Sequence, residues 1–220
     1  MSKRNLHYLS ILLPYLVGSA LYAQNNTLES CLVEYIKARK ALDQTRPANQ
    51  TMFLLFDSTA QKYSKIHQDW RECVKGHHIP VLSFRTLSGE SYDSSALAGK
   101  ILVINFWFMS CVPCRAEMPA LNRLVEEYKG KNVLFLGFAT DPADRLKTNF
   151  VSKSLFDFTI IADASRIANS FHFFGYPSTY VVDGKGIIRK AWLGGVDKSP
   201  LDPYYRAKEA IDDLLTITNK

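Results

Sequence analysis

The sequence predicts a mixed α/β fold, a sheet flanked by helices, preceded by a segment built from helix alone. Three observations carry this expectation. From Ile79 onward, runs with strand texture alternate with helical runs. The chain then closes on a hairpin and a helix, and residues 27–76 show helical spacing without a strand signal.

Lys3 and Arg4 precede an apolar stretch from Leu6 to Leu21, and Ala20-Leu21-Tyr22-Ala23 leads into the polar Gln24-Asn25-Asn26. This is the order of a secretory signal, with cleavage expected after Ala23. The alternative is an uncleaved anchor. His7, Ser10 and Pro14 interrupt the stretch, which falls short of the ~20 apolar residues a spanning helix needs. Leu28-Glu29-Ser30-Cys31 superficially resembles a lipoprotein box, but the polar residues from Gln24 to Thr27 break the apolar run before it. The expected organisation is a signal peptide at 1–23, a helical extension at 24–76 and a main domain at 77–220. The expected location is periplasmic or otherwise exported, with no stable membrane insertion after cleavage.

In the extension, Leu28, Cys31, Leu32, Tyr35 and Leu42 recur at helical spacing, and Tyr63, Ile66, Trp70 and Cys73 form a second stripe. Arg46-Pro47-Ala48-Asn49 separates the two, and Ser58-Thr59-Ala60-Gln61 reads as a capping box. Arms from Cys31 to about Gln44 and from Ser58 to Cys73 match in length, so an antiparallel hairpin brings both cysteines to one end. A second helix begun at Met52 would instead offset them by several turns.

Beyond Ile79, Val81 to Thr86 alternates like a strand, and Leu87-Ser88-Gly89-Glu90 reads as a turn. Ile101 to Phe108 is apolar and β-branched enough for a buried strand. Arg115 to Tyr128 follows as a helix with Met118, Leu121, Leu124, Val125 and Tyr128 on one face, kinked at Pro119. Strands are expected at Asn132 to Thr140 and Phe158 to Ala162, with helices from Asp141-Pro142 to about Ser154 and from Ser165 to Phe171. Ser178 to Val182 and Ile187 to Trp192 flank Asp183-Gly184-Lys185-Gly186 as a hairpin. A last helix from Asp202 presents Tyr205, Ile211, Leu214 and Leu215.

The chemistry centres on Cys111-Val112-Pro113-Cys114, where the buried strand hands over to the helix. At a helix N-terminus, unpaired amides and the macrodipole favour a thiolate, which makes Cys111 the expected nucleophile. Cys114, one turn further in, is placed to resolve a mixed disulfide and is less accessible. Zinc sites use the same spacing but need two further ligands. Cys31 and Cys73 lie apart, and His77-His78 is not a zinc-knuckle spacing, so no metal is expected. Outside the cytosol disulfides persist, and four cysteines allow three pairings that sequence alone does not separate. Local geometry favours Cys111 with Cys114, which leaves Cys31 and Cys73 as a candidate structural pair.

The chain carries 27 basic and 21 acidic residues. The first 23 residues contain two of those bases and no acids, so the remainder has 25 against 21, a net charge of +4. The charges are scattered, and no basic and aromatic stripe suggests nucleic acid.

Order and motifs together resemble the thioredoxin superfamily, and within it the TlpA-type exported thiol–disulfide reductases with an AhpC/TSA–thioredoxin-like domain. The resemblance covers Ile79 to the C-terminus. It rests on Gly99-Lys100, Asn105-Phe106-Trp107, Cys111 to Cys114, Arg115-Ala116-Glu117-Met118-Pro119 and Gly175-Tyr176-Pro177-Ser178-Thr179. It implies a thioredoxin-like sheet and a cis-proline at Pro177 that exposes the Tyr176 backbone to substrate. It also implies an acid, Glu117, that lies near the disulfide and tunes proton transfer. A plain helix-surface glutamate is the other reading of Glu117. Two positions depart from the thioredoxin pattern: Asn105 replaces the buried acid, and Ser110 the tryptophan before the first cysteine. Phe171, Phe173, Phe174 and Tyr176 are divided between core and an apolar rim.

The implied function is reduction of protein disulfides, without a bound cofactor and with electrons from an upstream donor protein. An oxidase or isomerase of the same fold, or a redox-inert peptide-binding module, are the alternatives.

Overall fold

The computed structural model describes residues 27–45, 58–150, 155–194 and 201–218. The signal-peptide expectation lies outside them, as do the side chains of Ser58 and Thr59 on which the capping box is read.

The helical extension forms α1 (Leu28–Gln44) and α2 (Ser58–Val74). Thr27 caps α1 by accepting from the Ser30 amide on its hydroxyl, and the Thr27 amide donates to Ser30 Oγ. The main domain runs β1 (Ser83–Arg85), β2 (Ser91–Asp93), α3 (Ser94–Leu97), β3 (Ile101–Trp107), α4 (Val112–Glu127), β4 (Val133–Ala139), α5 (Ala143–Asn149), β5 (Thr159–Ile161), α6 (Ser165–Ser170), β6 (Ser178–Val182), β7 (Ile188–Leu193) and α7 (Asp202–Thr218). The five-stranded sheet has the order β5-β4-β3-β6-β7. β3 is parallel to β4 and antiparallel to β6, which makes it the central strand.

Period-two alternation along β3 decides what each face holds. Ile101, Val103 and Trp107 join one buried cluster with Met118, Leu121 and Leu124 of α4 and Ala207 and Ile211 of α7. Leu102, Ile104 and Phe106 join a second cluster on the opposite face. That second cluster includes Leu28, Cys31 and Tyr35 of α1 and Trp70 and Val74 of α2. The extension therefore completes the core on one face of the sheet, and the other face belongs to α4 and α7.

The segment after α2 is stitched to the outer strand. The Gly76 amide donates to the Ile188 carbonyl at 2.8 Å, the Ile188 amide to the His77 carbonyl at 2.8 Å, and the Ile79 amide to the Gly186 carbonyl at 2.9 Å.

Several expectations need correction. The first strand is shorter than Val81 to Thr86, and its partner β2 and the short α3 follow it in a segment without strong hydrophobic periodicity. α5 ends at Asn149, well before Ser154, and 151–154 lie outside the described residues. On α7, Tyr205 is 59% exposed and its neighbour Tyr204 is buried instead. Tyr204 gains a bond to the Glu127 carboxylate at 2.6 Å and the Arg123 guanidinium over its ring, polar partners that hydrophobic spacing does not register.

Candidate active site

Strand β3 ends at Trp107, and a short loop carries the chain to Cys111, the N-cap of α4. The Met109 amide in that loop donates to the Asp141 carboxylate at 2.6 Å, which ties the approach to the motif to the end of β4. Cys111 and Cys114 are joined as a disulfide with Cα atoms 5.2 Å apart. The Cys114 amide points at Cys111 Sγ from 3.2 Å. In the reduced protein the same amide is placed to stabilise a thiolate on Cys111. Both cysteines are buried, Cys111 at 4% exposure and Cys114 at 1%, while Val112 and Pro113 between them stand out to solvent.

Beneath the pair lies Glu117, one turn beyond Cys114 on the same helix face. It is 4% exposed, which overturns the helix-surface reading. The alternation of β3 that turns Val103 and Trp107 toward α4 turns Asn105 the same way. Asn105 Nδ2 donates to Glu117 Oε1 at 2.8 Å and to Thr179 Oγ1 of β6 at 2.9 Å. Among the described residues, Glu117 Oε2 has no hydrogen-bond partner. Burial pushes the Glu117 carboxyl up to about 8, and the Asn105 bond restrains that rise. A carboxyl that titrates near neutrality can take and return a proton at the pH of thiol chemistry.

The Tyr176–Pro177 peptide is cis, and Pro177 is buried immediately before β6. The Gly194 amide, just after β7, donates to the Pro177 carbonyl at 2.8 Å. A Cβ on Gly194 would overlap Glu117 Oε2 and lie 2.6 Å from Pro177 Cγ. The acid and the proline thus crowd one point that only a glycine leaves open. Tyr176 is half-buried, edge-on to Phe108 at 5.3 Å and to Phe173 at 5.2 Å. Phe171 is fully buried, and Phe174 stacks on Tyr35 of α1, so neither contributes to an apolar rim.

The other two cysteines lie in the extension. Cys31 and Cys73 form a disulfide with Cα atoms 5.7 Å apart, at the matched end of α1 and α2. Among the described residues, no group of three His, Cys, Asp or Glu side chains could hold a metal ion.

The comparisons with known proteins agree with this geometry. The AhpC/TSA family model matches residues 75–191, and the chain belongs to that family. It is 33% identical over 144 residues to the thioredoxin-like protein YneN of Bacillus subtilis, covering 64% of this chain and 83% of that one. It is 27% identical over 145 residues to the thiol-disulfide oxidoreductase ResA of Bacillus thuringiensis, covering 66% and 84%. A solved thiol:disulfide interchange protein from a Bacteroides species superposes with a TM-score of 0.53 at 22% identity, over 63% of this chain and 90% of that one, a likeness of fold. The chain is a thioredoxin-like thiol–disulfide oxidoreductase.

Sequence reasoning does not find Gly194 or Asp141. Gly194 follows a strand as many glycines do, and Asp141 reads only as the start of a helix. Their roles come from residues distant in sequence, which periodicity cannot report.

Proposed function

We propose that this protein is an exported reductant of protein disulfides, with Cys111 as nucleophile, Cys114 as resolving thiol and Glu117 as the group that exchanges the proton. The Cys111 thiolate attacks one sulfur of a substrate disulfide, so a Cys111–substrate bond forms and the other substrate sulfur leaves as a thiolate. Cys114 gives its proton to the Glu117 carboxylate and attacks Cys111 Sγ. The Cys111–substrate bond breaks as the Cys111–Cys114 bond forms, the second substrate sulfur leaves as a thiolate, and the substrate has gained two electrons. A donor protein returns the two electrons. The Tyr176–Pro177 segment is the substrate-facing edge.

The observation that carries this reading is the stacking of functions along α4: Cys111 at the N-cap, Cys114 one turn in, and the buried Glu117 one turn further. A redox-inert peptide binder has no need of that series. Residues 1–23 act as an export signal, 24–76 as the helical extension and 77–220 as the catalytic domain. Among the described residues no helix is long and apolar enough to cross a membrane. Reduction of insulin disulfides by the purified protein with a thiol donor is the direct test. Turnover supports the reading, and oxidation of a reduced dithiol substrate without insulin reduction would favour an oxidase.

A further inference from the structure

We propose that the disulfide-stapled helical extension positions the substrate loop of the catalytic domain, through a clamp on Phe174. This rests on the reading of Tyr176 and Pro177 as the substrate-facing edge. The family match begins at residue 75, so neither α1 nor α2 belongs to the shared fold. Both nevertheless grip the loop that leads to Pro177. The Phe174 ring stacks on Tyr35 of α1 with centroids 3.5 Å apart and planes 12° from parallel. It meets Trp70 of α2 edge-on at 4.9 Å and His67 at 5.3 Å. Tyr35 and Trp70 are themselves buried, at 4% and 2% exposure.

The cross-link lies where it can hold this grip. Cys31 is four residues before Tyr35 on α1, and Cys73 three residues after Trp70 on α2, so each cysteine is one turn from a clamping ring on the same face. The bridge fixes the two helices relative to each other at the level where they enclose Phe174.

The loop itself needs support. His172 holds a left-handed backbone with φ +48°, a conformation that persists in a non-glycine residue only where the surroundings impose it. Successive rings pull the loop two ways: Phe173 stacks on Phe106 of β3 at 5.0 Å, while Phe174 is held by the extension. Tyr176, two residues on, packs edge-on against Phe173 and Phe108. Loss of the Phe174 clamp removes one of the two anchors of the loop and leaves the cysteines untouched. Tyr35, Phe174 and the Cys31–Cys73 bridge are positioning groups, acting through the loop on protein substrates.

The test uses Tyr35→Leu, which keeps bulk but removes the stacked ring, and Tyr35→Phe, which keeps the ring. Each is assayed on insulin and on 5,5′-dithiobis(2-nitrobenzoate), a small disulfide that needs no extended groove. The expected result for Tyr35→Leu is a KM for insulin raised by up to about tenfold with kcat close to wild type, and unchanged reduction of the small disulfide. Tyr35→Phe should behave as wild type, and Cys31→Ala with Cys73→Ala should move insulin KM in the same direction. An unchanged insulin KM in Tyr35→Leu, or an equal loss on both substrates, overturns the proposal. If the wild-type protein reduces neither substrate, the reductase reading fails and the clamp is judged from backbone 15N relaxation alone. Order parameters at residues 173–176 should fall toward the flexible range, below about 0.6, in Tyr35→Leu, and unchanged values overturn it.

Discussion

Asn105 Nδ2 lies 2.8 Å from Glu117 Oε1, so an amide on the central strand holds one oxygen of the buried acid as an acceptor. A proton on neutral Glu117 is left to Oε2, the oxygen that faces Gly194 and Pro177. The strand thus fixes which oxygen of the neutral carboxyl carries the proton.

The stability of the oxidised protein should fall as pH rises through this group. Below pH about 4.5 Glu117 is protonated in both folded and unfolded chains. Between about 4.5 and about 8 the unfolded chain releases the proton while the folded one retains it, so unfolding gains and folding loses. Glu117→Gln removes that dependence. Its Tm should exceed wild type by a margin that widens from pH 5 to pH 8 and then levels. Parallel melting curves across that range would return Glu117 to an ordinary carboxylate.

Thiol reactivity carries the same group. In reduced protein, Glu117→Gln should alter the pH profile of Cys111 alkylation and slow the resolving step above neutrality. The measurement is the iodoacetamide rate against pH, read by mass mapping, and an unshifted profile argues that water alone takes the proton.

Removing the donor should act oppositely to removing the acid. Asn105→Leu strips the amide from Glu117 and Thr179, which leaves two buried acceptors and costs about 1–3 kcal/mol for each unsatisfied group. It also lifts the one restraint on the Glu117 carboxyl, whose titration should move further up. Carboxyl-selective NMR titration checks the direction, and a downward movement would contradict the assignment.

At the cysteine pair, Cys111→Ser should abolish turnover. Cys114→Ser should accumulate a mixed disulfide through Cys111, because no resolving thiol remains. Mass spectrometry of the trapped adduct reads the outcome, and a linkage through Cys114 in wild-type protein quenched with acid would reverse the roles.

Gly194→Ala should be costly for a residue outside the motif. The added methyl overlaps Glu117 Oε2 and Pro177 Cγ, and overpacking of this kind costs about 1–3 kcal/mol. Denaturant midpoints measure it. Loss of the extension bridge should cost up to ~4 kcal/mol in the chain-entropy model for its separation of 42 residues, with the small-disulfide activity near normal.

The strand–motif–helix unit was legible because three local signals coincide: an apolar β-branched run, paired cysteines and a helical stripe. Met118, Leu121 and Leu124 of α4 and its C-cap Tyr128 are buried, four of the five positions the spacing marks, while Val125 is only partly buried. Glu117 was ambiguous, because a glutamate beside apolar residues reads as the edge of a stripe unless its partner is known. That partner, Asn105, is 12 residues away and on another element. β2 escaped notice because Ser91, Tyr92 and Asp93 owe their strand to pairing with β1 rather than to their own propensity. Phe174 stayed undecided between core and rim because nothing local shows that α1 and α2 fold back over it.

The backbone bonds from Gly76, His77 and Ile79 to the β7 side of the sheet have a consequence for solubility. β7 is the last strand on its side, and a strand in that position offers unpaired amides and carbonyls to any neighbouring chain. Residues 76–79 occupy part of that row, so the piece of chain that tethers the extension also screens the sheet from pairing with another molecule. A chain shortened to begin at β1 would keep Cys111 and Cys114 but uncover this edge together with the sheet face that α1 and α2 cover, and its characteristic failure would be self-association.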